Sequence, residues 1–299
     1  MHAAAILPAA AASLTARDER TTGFVGKGTG QVQLLEKPAM SHRKTNTRTK
    51  ATPEIIIDGV TLEYGSTQVL DSVSLSIAKG EFVSIVGTSG CGKTTLLNVV
   101  AGFLSPTHGQ VIHRSEQVTS PGPERAMVFQ EDAVFPWYTV GRNVGYALRI
   151  AGLNSAAVAD RVCELLGMVG LADRADAWPR ELSGGQRKRV DLARALAAEP
   201  DVLLMDEPFS ALDAMTKGRL QMELLRFVDW LGVTVLFVTH DLEEAVLLSD
   251  RIIVMGSVPG RVVSEVTVPF SRPRSSEFRT SEDLQALRRK IHTLLESHS

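Results

Sequence analysis

Residues 87–94 read Gly87-Thr88-Ser89-Gly90-Cys91-Gly92-Lys93-Thr94 and fit the pattern G-x-x-x-x-G-K-[ST]. The chemistry open to such a run is phosphate binding. Its glycines allow consecutive backbone N–H groups to turn inward as an anion nest. A helix starting at Lys93 would aim its positive end at the same point. The Lys93 ammonium is placed to reach β- and γ-phosphates and the Thr94 hydroxyl to ligate Mg2+. Gly87, Thr88, Ser89, Gly90, Cys91, Gly92, Lys93, Thr94 and Thr95 are the candidate nucleotide contacts. Cys91 lies inside the run, where a small filler beside the phosphates is a better reading than a metal ligand. A second segment, Val202-Leu203-Leu204-Met205-Asp206-Glu207, is an apolar strand ending in two carboxylates. A buried acid needs a partner, and Asp206 beside a Mg2+–phosphate site would have one. Glu207, one residue on, points elsewhere and can polarise an attacking water. Taken singly, the two segments are a glycine-rich turn and a pair of surface acids at a strand end. Taken together, they point to hydrolysis of a bound nucleotide.

These residues need a scaffold, and the hydrophobic pattern supplies one. Phe82-Val83-Ser84-Ile85-Val86 is a short apolar run of the buried-strand type directly before the glycine-rich turn, and Lys93–Ala101 is helix-like. Val202–Met205 and Val233–Thr239 are two more buried strands, with helical patterns between them. Strand–helix alternation predicts an α/β domain with a largely parallel sheet. Upstream, Glu54–Asp58 and Val69–Ile77 read as strands, the second alternating. Residues near 135–195 read mostly as helix and are expected to form an inserted helical subdomain. After Arg274 one amphipathic helix is predicted, with Ser281 as N-cap and Leu284, Leu287, Ile291 and Leu294 on one face. That helix is expected to pack on its own domain, contact with a partner being the alternative. Trp178, Trp230 and the methionines read as packing residues.

Bulk properties narrow the classes. Of 299 residues, 44% are hydrophobic and 22% charged, ordinary globular values that exclude wholesale disorder. The 32 basic residues stand against 34 acidic ones, without the basic excess of a nucleic-acid binder. Two cysteines, Cys91 and Cys163, exclude a disulfide scaffold and argue against a zinc cluster. No apolar window is long enough for a membrane-spanning helix, although the chain can dock on a protein that has one. Residues 1–50 carry an excess of Lys and Arg and no periodicity, and a disordered extension is expected over 1–52. Met40 is an alternative start that would remove residues 1–39. The expected division is then a nucleotide-binding domain over 53–270, with its helical subdomain at about 135–195, and a tail over 271–299.

Leu182-Ser183-Gly184-Gly185-Gln186, between Lys93 and Asp206, resembles the signature of the ATP-binding cassette (ABC) ATPases. Other segments are similar to that family's motifs, in the family's order. Tyr64, in Leu62-Glu63-Tyr64-Gly65, resembles the aromatic that stacks on adenine. Gln130, in Val128-Phe129-Gln130-Glu131, resembles the Q-loop glutamine. Ser210-Ala211-Leu212-Asp213 resembles the D-loop, with Asp213 a candidate nucleotide contact, and His240 resembles the switch histidine. The resemblance implies an α/β P-loop NTPase of the ABC type, with a mixed sheet core, an antiparallel β subdomain and an inserted helical subdomain. It implies ATP and Mg2+ as cofactors, with Thr94, Gln130 and Asp206 around the metal and Glu207, His240 and Gln130 as catalytic residues. It also implies a homodimer. Ser183, Gly184, Gly185 and Gln186 open a helix over Gly184–Ala198 whose positive end would face the γ-phosphate held by the P-loop of the other subunit.

The wording after Gln130 is narrower. Phe129 through Val140 resembles the matching stretch of the nitrate/sulfonate/taurine importer ATPases, as do Asp206–Asp213, Pro259-Gly260-Arg261 and Val268–Arg274. In that group the segment receives a permease helix, so Pro136-Trp137 is expected to line an apolar docking groove. A tryptophan capping a local core is the alternative. The implied partners are a transmembrane permease dimer and, indirectly, an extracytoplasmic solute-binding protein, with no nucleic acid. The implied location is peripheral, on the cytoplasmic face of the inner membrane. The implied activity is ATP hydrolysis coupled to import of a small anion such as a sulfonate, taurine or nitrate. Two residues depart from the family's usual wording: Lys188 stands where Gln is more common, and Ser210 replaces a common Gly. Neither is expected to touch the nucleotide chemistry. Arg272-Pro273-Arg274 reads equally as a solvated linker. The rival reading is a soluble ABC ATPase acting as an assembly scaffold, for example in iron–sulfur biogenesis. Pro136-Trp137 and Arg272-Pro273-Arg274 speak against it.

Overall fold

Apolar residues recurring along 53–78 build a long antiparallel hairpin, β1 (Pro53–Tyr64) and β2 (Thr67–Ala78). The computed structural model describes residues 53–298 except 211, 273 and 275. The extension expected over 1–52, Ala211 of the Ser210–Asp213 stretch and Pro273 lie outside the described residues. β1 continues past Asp58, where the sequence pattern stops, because it bulges between Ile57 and Val60 and then resumes pairing. Gly59 interrupts the apolar alternation at that bulge, which hides the continuation from sequence.

β3 (Phe82–Gly87) is buried at every residue. After the glycine-rich turn, α1 (Lys93–Ala101) packs between two sheets, so Leu96, Leu97 and Val100 are all fully buried. β4 (His108–His113) and β5 (Glu116–Gln117) complete an antiparallel sheet of order β2-β1-β4-β5. β6 (Arg125–Val128) starts the other sheet. The chain then leaves it for α2 (Val140–Val144), α3 (Tyr146–Ile150), α4 (Ser155–Met168) and α5 (Gly184–Ala197), and returns as β7 (Val202–Asp206). α6 (Ala214–Leu231), β8 (Thr234–Val238), α7 (Leu242–Leu248), β9 (Arg251–Met255), β10 (Val262–Thr267) and α8 (Glu282–Glu296) follow. The second sheet has the order β10-β9-β3-β8-β7-β6. All its neighbouring pairs are parallel except β10–β9. The mixed sheet, the antiparallel sheet and the helices inserted between β6 and β7 are the architecture expected of an ABC-type P-loop NTPase. Among the described residues, no helix is long and apolar enough to cross a membrane.

Register in the mixed sheet places the site. Ile85 of β3 and Asp206 of β7 both pair with Val238 of β8. Ile85, Val238 and Asp206 therefore lie at one level, and the residues beyond them meet at one edge. A polar seam joins the two sheets: Arg114 bridges Glu54 at 2.5 Å and Asp201 at 2.6 Å, with His113 at 3.3 Å from the same Glu54 oxygen. These His and carboxylate atoms lie close enough for a metal, but the guanidinium already balances both carboxylates.

Ser281 caps α8, its Oγ accepting the Leu284 N–H at 3.2 Å. Leu284 and Ile291 are fully buried against Val86, Val246 and Val254. The arginines before this helix are structural, not a solvated linker. Arg272 pairs with Asp250 at 2.9 Å and Asp229 at 3.1 Å and lies over the Phe82 ring. Arg274 is buried and donates to the carbonyls of Leu247, Ser249 and Phe270. Burial pushes its pKa down to about 10. Trp178 and Trp230 are not core residues either: they are 39% and 41% exposed, and Trp230 lies under the Arg161 guanidinium.

Arg274→Ala leaves three carbonyls without their donor. The expected cost is about 2–3 kcal/mol of folding stability, the scale for buried acceptors stripped of a charged partner. Thermal unfolding of the isolated chain checks it, and an unchanged melting temperature would show the C-terminal segment to be merely laid on the surface.

Candidate active site

The glycine-rich turn leaves β3 and enters α1 through Gly92, which has a φ of 89°. A side chain there would also meet Leu70 Cδ2 at 2.8 Å, so both conformation and space demand glycine. Because Gly92 cannot cap α1 with a side chain, the N–H groups of the first turn stay free to face an anion. The Lys93 ammonium folds back over the turn and donates to Gly87 O at 3.0 Å and Thr88 O at 2.9 Å. Cys91 is fully buried, with its Sγ 3.8 Å from Lys93 Nζ. Burial raises its thiol pKa, keeping it neutral. It is packing material there.

β7 delivers Asp206 to the same edge. The Thr94 hydroxyl donates to Asp206 Oδ1 at 3.2 Å. Asp206 is buried, and the loss of water raises its pKa above the ordinary 3.8; the nearby Glu207 carboxylate adds to the rise. Glu207 has a φ of 42°, a left-handed value rare for a residue with a side chain. Its N–H stays on Val238 O at 2.9 Å, while the turn brings its carboxylate to His240 Nδ1 at 2.9 Å. His240 follows β8 and precedes α7, whose N-cap Asp241 accepts from Glu243 and Glu244. Lys217 of α6 holds Asp241 and Glu244, each at 2.7 Å, and Thr239 donates to Glu244 at 2.6 Å. The loop carrying His240 is thus pinned on both sides.

A cavity of about 450 Å³ opens between these groups, lined by Ser89, Gly90, Gly92, Lys93, Thr94, Thr95, Gln130, Glu207, His240 and Val69. Val69 was not singled out in sequence; it carries no chemistry and comes from β2 in the other sheet. Tyr64 lies at the end of β1, 54% exposed, and is not among the lining residues. Ser183, Gly184, Gly185, Gln186 and Asp213 are likewise absent from this cavity. They form a second cluster. Ser183 and Gln186 close a capping box on α5, which leaves the N–H groups of Gly184 and Gly185 as unpaired donors. A methyl on Gly185 would meet Thr216 Cγ2 at 2.7 Å, whereas the nearest atom to one on Gly184 is 3.7 Å away. Gly185 packs on α6, and Gly184 faces open space. Asp213 caps α6 by accepting from Thr216 N–H at 3.0 Å, a bond that lowers its pKa.

Lys188, not expected to touch the nucleotide chemistry, does not line the cavity but reaches the loop that carries Gln130. It is buried on α5, and its ammonium donates to Phe129 O at 2.5 Å and Gln130 O at 3.1 Å. Only its departure from the usual glutamine marked it in sequence.

The donor set fits Mg2+ with a polyphosphate. Thr94, Asp206 and Gln130 offer hard oxygens, and Asp206 is a buried carboxylate with only a hydroxyl for a near partner. Lys93 and the turn's N–H groups provide the anion cradle.

The chain matches the ABC transporter family over residues 70–210. The taurine import ATP-binding protein TauB of Mesorhizobium japonicum is 47% identical over 222 residues, 74% of this chain and 86% of that protein. The bicarbonate transport ATP-binding protein CmpD of Synechocystis is 42% identical over 259 residues, 84% of this chain and 92% of that one. A solved dimeric ATP-binding cassette in a post-hydrolysis state, bound to ADP and Pi, is similar with a TM-score of 0.65 and 32% identity. That likeness covers 73% of this chain and all of the cassette.

Burial penalises the ionised form of Asp206, so at neutral pH its carboxylate detracts from stability unless a cation compensates it. Asp206→Asn should therefore unfold at a higher temperature than the parent without metal at pH 7. That advantage should shrink on acidification towards the ordinary carboxylate value, where the proton is bound in both states. Mg2+ added with ATP should stabilise the parent and not the variant. Equal stabilisation of both by Mg2+ would remove Asp206 from the metal site.

Proposed function

We propose that this chain, which belongs to the ABC transporter family, is the ATP-hydrolysing subunit that powers import of a small solute bearing an anionic group. One observation carries the reading. The P-loop residues, Gln130, Glu207 and His240 surround a single cavity, while Ser183 and Gly184, at the start of α5, offer a second set of backbone donors that does not line it. Each chain then holds two complementary half-sites, and a two-fold pair of chains completes both. The dimeric state of the similar cassette with ADP and Pi supports that arrangement.

In this reading Lys93 and the N–H groups of the turn bind the β- and γ-phosphates. Thr94, Asp206 and Gln130 would hold Mg2+, which when bound supplies charge neutralisation at the phosphate oxygens. Glu207 accepts the proton of the attacking water. His240, bonded to Glu207 at 2.9 Å, orients that carboxylate and faces the γ-phosphate. Tyr64 is the adenine-stacking candidate on the sheet beside the turn. The work is positioning and electrostatic stabilisation.

The membrane partner is a permease dimer, met at the helical layer. Trp137 is 63% exposed and stacks on Phe135 at 5.5 Å. A cavity of about 620 Å³ in the same layer is lined by Leu153, Val158 and Trp178 together with Arg142 and Arg149. Exposed aromatics beside an apolar hollow suit a helix laid in a groove. Taurine and bicarbonate in the relatives' names support a sulfonate, taurine, nitrate or similar anion as cargo. A solute-binding protein would act outside the membrane, and the chain itself would sit peripherally on the cytoplasmic face.

Two variants test this. Glu207→Gln should keep ATP binding and slow hydrolysis by roughly 10²–10⁴-fold, the usual contribution of a positioned base. With Mg·ATP it should elute as a dimer on sizing chromatography, and near-normal turnover would remove Glu207 from the base role. Trp137→Ala should leave the isolated chain's melting temperature and ATPase nearly unchanged and weaken permease assembly by about 2 kcal/mol, as for a hot-spot aromatic. A large drop in melting temperature would instead make Trp137 a local core cap.

A further inference from the structure

We propose that Lys188 is a positioning residue for the ATPase: its ammonium fastens the loop carrying Gln130 to the signature helix α5, so that the two phosphate-facing elements move as one body. The inference rests on the reading that Gln130 serves the Mg·ATP site. Sequence gave Lys188 no role, since the family's more common glutamine at that position has neither its charge nor its reach.

The geometry is a set of anchors running along one face of α5. Lys188 donates to the carbonyls of Phe129 and Gln130, at 2.5 and 3.1 Å. Six residues later Arg194 donates to the carbonyl of Ala133 and stacks over the Phe135 ring. Arg187 bonds Asp132 at 2.8 Å. Asp191, 1% exposed, sits between the two inner cations, 2.8 Å from Arg194 and 3.9 Å from Lys188. Residues 129–133 are therefore held from the helix by side chains rather than by strand pairing. Lys188 grips Gln130, which lines the cavity, and the residue before it.

Its position has two consequences for the chemistry. Backbone carbonyls held by a buried ammonium fix the peptide planes on both sides of Gln130, and hence the direction in which its side chain leaves the loop. Ser183 opens the same helix five residues before Lys188. A displacement of Ser183 and Gly184 against a phosphate would therefore be transmitted through Lys188 to Gln130, and Gln130 is a proposed Mg2+ ligand. Lys188 touches neither nucleotide nor metal in this account and acts through Gln130.

A double-mutant cycle on the full chain, Gln130→Ala and Lys188→Gln, tests it. Lys188→Gln should lower kcat roughly 10-fold and raise the Mg2+ concentration needed for half-maximal activity, with little change in KM for ATP; this is the scale for residues that orient a metal ligand. In the Gln130→Ala background the same substitution should change kcat less than about 2-fold, because its target is gone. Lys188→Arg, which keeps the charge and can still reach the carbonyls, should restore the Mg2+ requirement. Additive effects of the two substitutions, or a lowered melting temperature with an unchanged Mg2+ requirement, would make Lys188 a purely structural residue. If Gln130→Ala alone alters neither kcat nor the Mg2+ requirement, the placement of Gln130 at the site fails, and this inference falls with it. Should Lys188→Gln fail to fold because Asp191 loses a partner, the Lys188→Met/Asp191→Asn pair removes both charges and is read the same way.

Discussion

The site depends on one register. β8 lies between β3 and β7, and Val238 pairs with Ile85 on one side and Asp206 on the other. Those three residues lie level, and the residues beyond them share one edge. Beyond β3 comes the glycine-rich turn, beyond β7 the Glu207 turn, and beyond β8 His240. A shift of one residue in either pairing would turn Asp206 away from Thr94 and send its carboxylate into the apolar interior. The burial of all five β7 residues and all five β8 residues makes that shift costly, so the hydrophobic core sets the distances on which the chemistry relies.

Charged groups are buried around this edge in an ordered way. Lys217 compensates Asp241 and Glu244 under the His240 loop. Arg194 and Lys188 compensate Asp191 beneath the Gln130 loop. Arg274 is spent on carbonyls at the start of the C-terminal segment. Asp206 is buried and bonded to Thr94 of the cavity lining, a hydroxyl being its hydrogen-bond partner. Buried ions cost free energy unless paired, and the proposed Mg2+ would supply that pairing for Asp206. In the proposed dimer hydrolysis would await a second chain, because Ser183 and Gly184 do not line the cavity of their own chain.

The surfaces beside the site follow from where loops leave the sheet. The connection from β6 to β7 is long because the whole helical layer is inserted there. Its aromatic residues Phe135, Trp137, Tyr138 and Tyr146 pack on one another, and Trp137 stays exposed. Residues 129–133 at the root of this layer are also those that α5 holds.

The sequence alone determined the type of chemistry and the class of fold. The turn 87–94, the acids 206 and 207, and the ordered motifs from Tyr64 to His240 can be read because each is short and local: glycines, a lysine and carboxylates at fixed spacing dictate what they bind. The buried strands were legible for the same reason, as was α8, whose period of apolar residues and Ser281 cap lie within one segment. What the tertiary structure decided depends on partners distant in sequence. Lys188 carries no local sign that its ammonium meets carbonyls near residue 130. Arg274 reads as a linker residue until α7 and Phe270 surround it. Trp137, Trp178 and Trp230 look alike as letters, and only packing shows that each is partly exposed. Val69 enters the cavity because a second sheet is laid against the first. A side chain's role follows from what the fold brings within a few ångströms of it, and for these residues that neighbour is not written nearby.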